Sequence, residues 1–497
     1  MNVFKTYYTY FFVLVILIAL FNIFFNLWEL PVQEWDEARH GVNAYEMLTN
    51  GILSANHYRG QPDYWNLKPP LGTWLIALSF SIFGLNPFGL RFFSAFFGFL
   101  TIVITTLYAK RKFGPEVSIL SGFILATCFS FIHVHGARTG DFDAILTFLV
   151  LLSVITSERA RDNKNYLYLT AILFSLAFLL KSFASVMVAL VILLSFLLNR
   201  MYLKMKIYDY ILLPIVSITP IVAWGLARFN FDGTTFFEKM IGYDLVLRGT
   251  KTLEGHQSSP LFYLEPIVLK FLPWSILLLV SPFYKLKIIF NRESKIPFRL
   301  EYRNEVFRDT TVVIYLLSVM LPALLVSTKT EWYVMPIFPI LSIITGWFIF
   351  EILRASKEGV VRIPIRSLVT TLIIISIFAE IVIITQTLNP FLRVAQNGSG
   401  SIDKFIEETN LQKILVSRYI PKNSTVGFVD IPLSQSYYFL SRVVGNYELV
   451  SVSKDDAFSS KGLYVINSRM INNISKEFII IDSVGDWRLV SNVSFKH

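Results

Sequence analysis

Two carboxylates, Asp36 and Glu37, stand side by side in Trp35-Asp36-Glu37-Ala38-Arg39. A lysine follows about thirty residues on, in Asp63-Tyr64-Trp65-Asn66-Leu67-Lys68-Pro69-Pro70-Leu71. A carboxylate can take the proton of a hydroxyl nucleophile. A cation can hold a departing phosphate as its charge develops, a stabilisation of roughly 2.7–4 kcal/mol for each well-placed donor in a dry site. On this chemistry Asp36 is the candidate base, Glu37 its catalytic neighbour and Lys68 the phosphate holder. Asp36 equally reads as the N-cap of a helix over residues 37–48, with Glu37 in the favourable first turn. The two readings are compatible, because a capped carboxylate is well oriented.

Three further segments carry polar chemistry. Gly136-Ala137-Arg138-Thr139-Gly140-Asp141-Phe142-Asp143 lies in a tight turn between apolar runs. Asp141 reads either as a substrate contact or as a helix N-cap. Asp143, two residues deeper, is costly in an apolar helix and needs a cavity or a partner, which makes it the third candidate catalytic carboxylate. Arg138 is the partner the sequence offers, and also a candidate substrate ligand. Asp244 to Arg248, followed by Gly255-His256-Gln257-Ser258-Ser259-Pro260, supplies a guanidinium that can grip phosphate bidentately and a histidine suited to substrate or metal. A solvated loop histidine fits His256 as well. Ser327-Thr328-Lys329-Thr330-Glu331-Trp332-Tyr333 adds Lys329 and Tyr333 as substrate contacts, with interfacial snorkelling the other reading for Lys329 and for Lys181.

These residues must be positioned by elements made for lipid. Of 497 residues, 54% are hydrophobic and only 16% charged, where soluble chains run nearer a quarter. Repeated apolar runs of roughly 20 residues imply an all-α polytopic membrane protein, with the bilayer as its first partner. About eleven spans are expected, near 7–28, 88–109, 116–135, 141–157, 166–180, 183–199, 208–228, 261–284, 310–328, 331–353 and 367–388. Leu71 to Phe83 is too short to be counted as one; it reads as a juxtamembrane helix opening at Pro69-Pro70. The net charge of +10 does not point to nucleic acid, because the basic residues fall in short loops on alternate sides, as the positive-inside rule requires. With the N-terminus inside, every segment discussed above lies on the outer face. The single cysteine, Cys128, allows no intramolecular disulfide and no thiolate cluster.

Past Asn389-Pro390 the composition changes. Residues 397–401 read as a linker, and alternating runs such as 425–429 and 462–466 read as strands between helices. The division expected is a transmembrane catalytic domain over 1–390 and a small α/β domain over 391–497 on the outer face.

The order of the features resembles the GT-C membrane glycosyltransferases, especially the branch of protein O-mannosyltransferases and lipid A aminoarabinose transferases. The resemblance runs over about residues 5–390. It rests on Asp36-Glu37-Ala38-Arg39 with Tyr45-Glu46-Met47-Leu48, on Lys68-Pro69-Pro70-Leu71-Gly72-Thr73-Trp74-Leu75, and on Ala137-Arg138 with Asp143 and Leu146-Thr147-Phe148. His256 with Pro260 and Lys329 through Pro339 complete it. It implies a polyprenyl-phosphate sugar donor and inverting transfer, with Asp36 as the catalytic carboxylate and Lys68 on the donor phosphate. In the aminoarabinose transferases a glutamate before the lysine joins a loop histidine in holding a metal. Leu67 stands at that position here, so a divalent metal at His256 would lack its carboxylate; no other cofactor is implied. The acceptor would be a hydroxyl or phosphate of a glycolipid such as lipid A or of another envelope glycan, or a protein hydroxyl, at a bacterial inner membrane. A flippase for a lipid-linked sugar is the alternative. It calls for midplane charges and broken helices related by a repeat, whereas the charges here gather at one face. A non-catalytic envelope subunit is the third reading, and would tolerate loss of Asp36.

Overall fold

The computed structural model describes residues 6–29, 31–133, 135–253, 259–280, 309–357, 364–388, 402–459, 461–469 and 478–492. The chain is mostly helical and divides into two compact units. The first comprises residues 1–25, 64–72 and 93–384, the second 26–63, 73–92 and 385–497.

The first unit is built of apolar helices. Pro87–Phe113 (whose first turns belong to the second unit), Tyr166–Leu198, Asp209–Asp232, Glu331–Lys357 and Arg366–Thr385 are long and apolar enough to cross a bilayer. A sixth results if Leu261–Leu269 and Trp274–Val280, bent by 114°, are one broken span. Such helices form because Leu, Ile, Phe and Val cover the whole circumference. Lipid or protein can then meet any face, and every backbone group is satisfied within the helix. The chain is accordingly an integral membrane protein.

Several of the expected eleven spans are shorter apolar helices: Tyr8–Phe24, Pro115–Ala126 and Thr310–Leu325. The span expected at 116–135 breaks after Ala126, and a separate helix runs Phe129–His133. At the break Thr127 Oγ1 donates back to Phe123 O at 2.9 Å and accepts the indole N–H of Trp274 at 2.9 Å, so the helix end is satisfied by side chains. Between Tyr166–Lys181 and Val186–Leu198 lies a 3-10 turn, Ser182–Ser185, entered with Ser182 at φ 39°. The helix Glu331–Lys357 approaches Pro115–Ala126 closely at Gly346, where a Cβ would lie 2.9 Å from Ser121 Oγ.

In the second unit the helix Asp36–Asn50 ends at Gly51, whose φ of 71° lets its N–H reach Met47 O. A hairpin follows, β1 (His57–Tyr58) against β2 (Gln61–Pro62). The C-terminal residues form a five-stranded sheet from β3 (Thr425–Val429), β4 (Glu448–Val452), β5 (Leu463–Asn467), β6 (Ile479–Val484) and β7 (Trp487–Ser491). Its order is β4-β3-β5-β7-β6, with β3 parallel to β4 and β5, and β7 antiparallel to β5 and β6. The strands read at 425–429 and 462–466 are β3 and β5. Val426, Phe428, Ile466 and Leu489 are buried in it.

The first loop and the C-terminal residues are stitched together within this unit. Gln412 accepts the N–H of Val32 at 2.8 Å and donates to its carbonyl at 2.9 Å. Glu34 accepts from Ser434 Oγ at 2.5 Å, from the backbone N–H of Gln435 at 3.0 Å and from Ser436 Oγ. Gly41 brings the helix Asp36–Asn50 onto Phe439, where a Cβ would lie 2.4 Å from the ring. Replacing Gln412 by Ala leaves both backbone groups of the buried Val32 unpaired, at about 1–3 kcal/mol each. The expected result is a lower unfolding temperature and loss of Val32 amide protection in hydrogen exchange. Undiminished protection would mean that the clasp is dispensable.

Candidate active site

In the second unit, Asp36 and Glu37 open the helix Asp36–Asn50, and the N-cap is Trp35 with no side-chain cap bond. The capping reading of Asp36 is therefore not realised: it is the first helical residue, partly exposed, in the turn where the unpaired N–H groups favour negative charge. Glu37 is buried. Its carboxylate takes Arg91 bidentately (Nε 2.6 Å, Nη2 3.0 Å) and accepts the N–H of Gln33 at 2.7 Å. Arg91 also donates to the carbonyls of Leu27 (2.8 Å) and Pro31 (2.9 Å). Arg39 is bidentate to Asp63, with both bonds 2.7 Å, and Asn43 adds a third donor at 2.9 Å. The helix is thus fixed by two buried carboxylate–arginine forks, which leaves Asp36 as the partly exposed acid of the pair.

Trp35 is 64% exposed and sits at φ 66°, ψ −111°, a conformation a bulky L-residue adopts only under constraint. Such strain costs about 1–3 kcal/mol, and glycine's extra freedom in the unfolded chain returns about 0.5–1 kcal/mol of that. Trp35→Gly should therefore stabilise the fold by ~1 kcal/mol in thermal unfolding. A lower midpoint would show that the indole's contacts outweigh the strain.

In the first unit, Lys68 is half-buried and donates to Asn66 Oδ1 at 3.2 Å. Leu67 beside it is buried among Leu179, Trp224, Phe236 and Met240. The position that would need a carboxylate for a metal is therefore apolar and packed, offering no ligand atom. His256 lies outside the described residues.

The turn before the helix Asp143–Arg159 departs from the sequence expectations. Asp143 is the first residue of that helix and Phe142 its N-cap, so Asp141 does not cap it. Arg138 does not pair with Asp143. Its guanidinium donates to the carbonyls of Asn22 (3.0 Å), Ile23 (2.9 Å) and Phe25 (2.7 Å), capping the helix Tyr8–Phe24. Asp143 pairs instead with Lys181 at 2.6 Å, a partner 38 residues away. Asp141 Oδ2 lies 3.1 Å from His135 Nδ1, and the imidazole lies over Trp332, tilted by 33° with centroids 3.8 Å apart. His135 carries φ 47°, so this stack is held in a left-handed conformation.

Arg248 donates to Tyr333 Oη at 3.2 Å and lies 3.7 Å from Asp244. Its segment is tied to residues 327–328: Ser327 N–H donates to Gly249 O, Thr328 N–H to Arg248 O and Thr328 Oγ1 to Lys251 O. Lys329 neither snorkels nor stands open to solvent. It is 1% exposed, and its ammonium donates to the carbonyls of Ala323 (3.3 Å) and Leu324 (3.0 Å) in the last turn of Thr310–Leu325 and of its C-cap Val326 (2.5 Å). Burial holds this ammonium below the ordinary lysine range.

Arg91 and His135 were absent from the candidates read in the sequence. Arg91 had a signal, a guanidinium early in an apolar run; His135 was a lone histidine before a glycine, with none.

Residues 67–224 match the family described as dolichyl-phosphate-mannose-protein mannosyltransferase. The chain is 29% identical to an uncharacterized protein of Aquifex aeolicus over 68% of this chain and 64% of the relative. It is 25% identical to the undecaprenyl phosphate-alpha-4-amino-4-deoxy-L-arabinose arabinosyl transferase of Pseudomonas aeruginosa, over 66% of this chain and 57% of the relative. The chain thus spans about half to two-thirds of the length of these curated relatives. The crystal structure of ArnT from Cupriavidus metallidurans bound to undecaprenyl phosphate superposes with a TM-score of 0.63 at 15% identity, covering 99% of this chain and 98% of that one. That likeness is one of fold.

Proposed function

We propose, from its place among the GT-C membrane glycosyltransferases, that this chain moves a sugar from a polyprenyl-phosphate donor to an acceptor on the outer face of a bacterial inner membrane. The observation that carries this reading is Asp36. It is a partly exposed carboxylate on the first turn of a helix fixed by Glu37–Arg91 and Arg39–Asp63, in a chain of GT-C fold with a lysine-Pro-Pro segment following. Asp36 takes the proton of the acceptor hydroxyl as its oxygen attacks the anomeric carbon from the face opposite the phosphate. The carbon–oxygen bond to phosphate breaks with inversion, and polyprenyl phosphate leaves. Lys68 and Arg248 neutralise that phosphate, with Tyr333 orienting the guanidinium. Glu37 works as a positioning residue through Arg91. Asp143, at the start of its helix, and Lys181, at the end of Tyr166–Lys181, form a charge pair between two helices, and Arg138 and Lys329 keep the ends of two helices intact. The division into a transmembrane catalytic domain, 1–390, and an outer α/β domain, 391–497, belongs to the same proposal.

Asp36→Asn keeps the shape and removes the base. Turnover of polyprenyl-phosphate sugars by purified protein, with membrane extract as acceptor, is expected to fall by about 10²–10⁴-fold while the protein still binds polyprenyl phosphate. Near-normal turnover would remove Asp36 as the base. If labelled lipid crosses a proteoliposome bilayer while no sugar is turned over, the protein is a flippase.

Lys68→Ala is expected to weaken polyprenyl phosphate binding by roughly 10–100-fold, the worth of one charged hydrogen bond. Unchanged affinity, read by titration in detergent, would move the phosphate site to Arg248 alone.

A further inference from the structure

The helix Asp209–Asp232 begins just after a short stretch of unusual composition. In Arg200-Met201-Tyr202-Leu203-Lys204-Met205-Lys206-Ile207-Tyr208, three cations are interleaved with large apolar and aromatic side chains. The stretch is firmly anchored. It opens at Arg200 with φ 51°, makes one 3-10 turn over Met201–Leu203, and buries Met201 with Ala160 and Leu167. Phe196 packs on the rings of both Tyr202 and Tyr210, with centroids 5.8 and 6.1 Å away, and the Tyr210 hydroxyl donates to Tyr202 O at 3.2 Å. Asp209 closes the turn. Its carboxylate accepts the backbone N–H of Lys206 at 2.7 Å, the Tyr168 hydroxyl at 2.6 Å and the Lys164 ammonium at 2.5 Å.

This anchored turn presents what a water-facing turn would hide. Ile207 is 81% exposed and Leu203 69%, with the Tyr208 ring open beside them. The helix that follows exposes Ile211, Ile215, Ile218 and Val222 along one face, as a lipid-facing span does. The turn therefore lies where that span leaves the hydrocarbon. Charge there is one-sided. Arg200, Lys204 and Lys206 are exposed, and Lys164 lies 4.7 Å from the centroid of the Tyr208 ring. Asp209 is buried and engaged by the internal bonds above. The neighbouring turn, whose Arg161 carbonyl accepts the Lys204 ammonium, adds one exposed acid, Asp162. Among the described residues neither Arg200 nor Lys206 enters an ion pair. Basic and apolar side chains mixed on one rigid turn suit an interface: the apolar tips enter the acyl boundary while the cations stay among the phosphates. A zwitterionic headgroup brings its own cation to each phosphate, whereas an anionic headgroup leaves its charge for the protein.

We propose that the turn 200–208 is a binding site for an anionic phospholipid of the leaflet that this end of Asp209–Asp232 faces. Ile207 and Leu203 enter the acyl boundary, and Arg200 and Lys206 take the headgroup phosphate. Lys204 holds the turn to its neighbour through the Arg161 carbonyl.

The test uses the full-length protein in nanodiscs, with a fluorophore on Ile207→Cys and the buried Cys128 removed as Cys128→Ser. Each disc holds equal amounts of phosphatidylglycerol and phosphatidylcholine, with brominated tails on one lipid or the other. Bromine quenches only at close approach, so the two signals report which lipid lies against position 207. Phosphatidylglycerol is expected to quench more strongly, and raising the salt should lower that preference. Lys206→Gln and Arg200→Asn should each lower the relative association of phosphatidylglycerol by about fivefold (asparagine tolerates the left-handed turn), while Lys206→Arg should keep it. An unchanged unfolding midpoint in detergent reports that each variant is folded. Quenching by neither lipid would put the turn in water and give the surface to a protein partner. Equal quenching by both would make it an unselective anchor. Either result, a preference that salt leaves unchanged, or an undiminished preference in the folded Gln and Asn variants would overturn the proposal.

Discussion

Arg91 ties together the segment from which the site helix starts. Its fork closes on Glu37, and its remaining N–H groups reach the carbonyls of Leu27 and Pro31, so one guanidinium ties the start of the first loop to the first turn of the helix bearing Asp36. Both members of the ion pair are out of water. Burying two charges is costly, and the pair is held because every partner is in place; removing one alone would strand the other, at about 3–5 kcal/mol. The turn that bears Asp36 is oriented by this fork, next to the carboxylate it fixes.

A second rule runs through the first unit. Cations placed among apolar helices are used on backbone carbonyls as well as on carboxylates. Arg138 closes the end of Tyr8–Phe24, and Lys329 closes the end of Thr310–Leu325. The last turn of any helix leaves carbonyls without partners, and where water is scarce a buried cation is the strongest available donor. Residues that look like substrate ligands because they are charged are in part the price of ending helices inside a low-dielectric body.

That rule also explains what could be read from the residues alone. The apolar helices, the helix opening after Pro69-Pro70 and the strands β3 and β5 were legible because composition and period carry them. Asp36 stood out as a candidate because two adjacent carboxylates follow an apolar run. The partners of Arg138 and Lys329 were not legible, since every residue has a carbonyl and none is marked in the sequence. Lys181 was visible as a charge between apolar runs, but its pairing with Asp143 depends on how two helices meet. The breaks that shorten the expected spans depend on side chains such as Thr127 and Trp274, which are 147 residues apart. Left-handed Trp35, Arg59 and His135 carry no compositional sign at all, because the conformation is imposed by neighbours rather than chosen by the residue.

The clasp between the first loop and the C-terminal residues has a consequence for biogenesis. Val32 meets Gln412 across 380 positions, and Glu34 meets Ser434 across 400. At ribosomal rates of about 5–20 residues per second, the loop emerges roughly 20–80 seconds before its partners exist. During that interval the segment that bears Asp36 lacks these bonds. The clasp therefore closes only after the helices through Arg366–Thr385 have been synthesised, and a ribosome stalled short of residue 412 holds a chain whose first loop has neither of these partners.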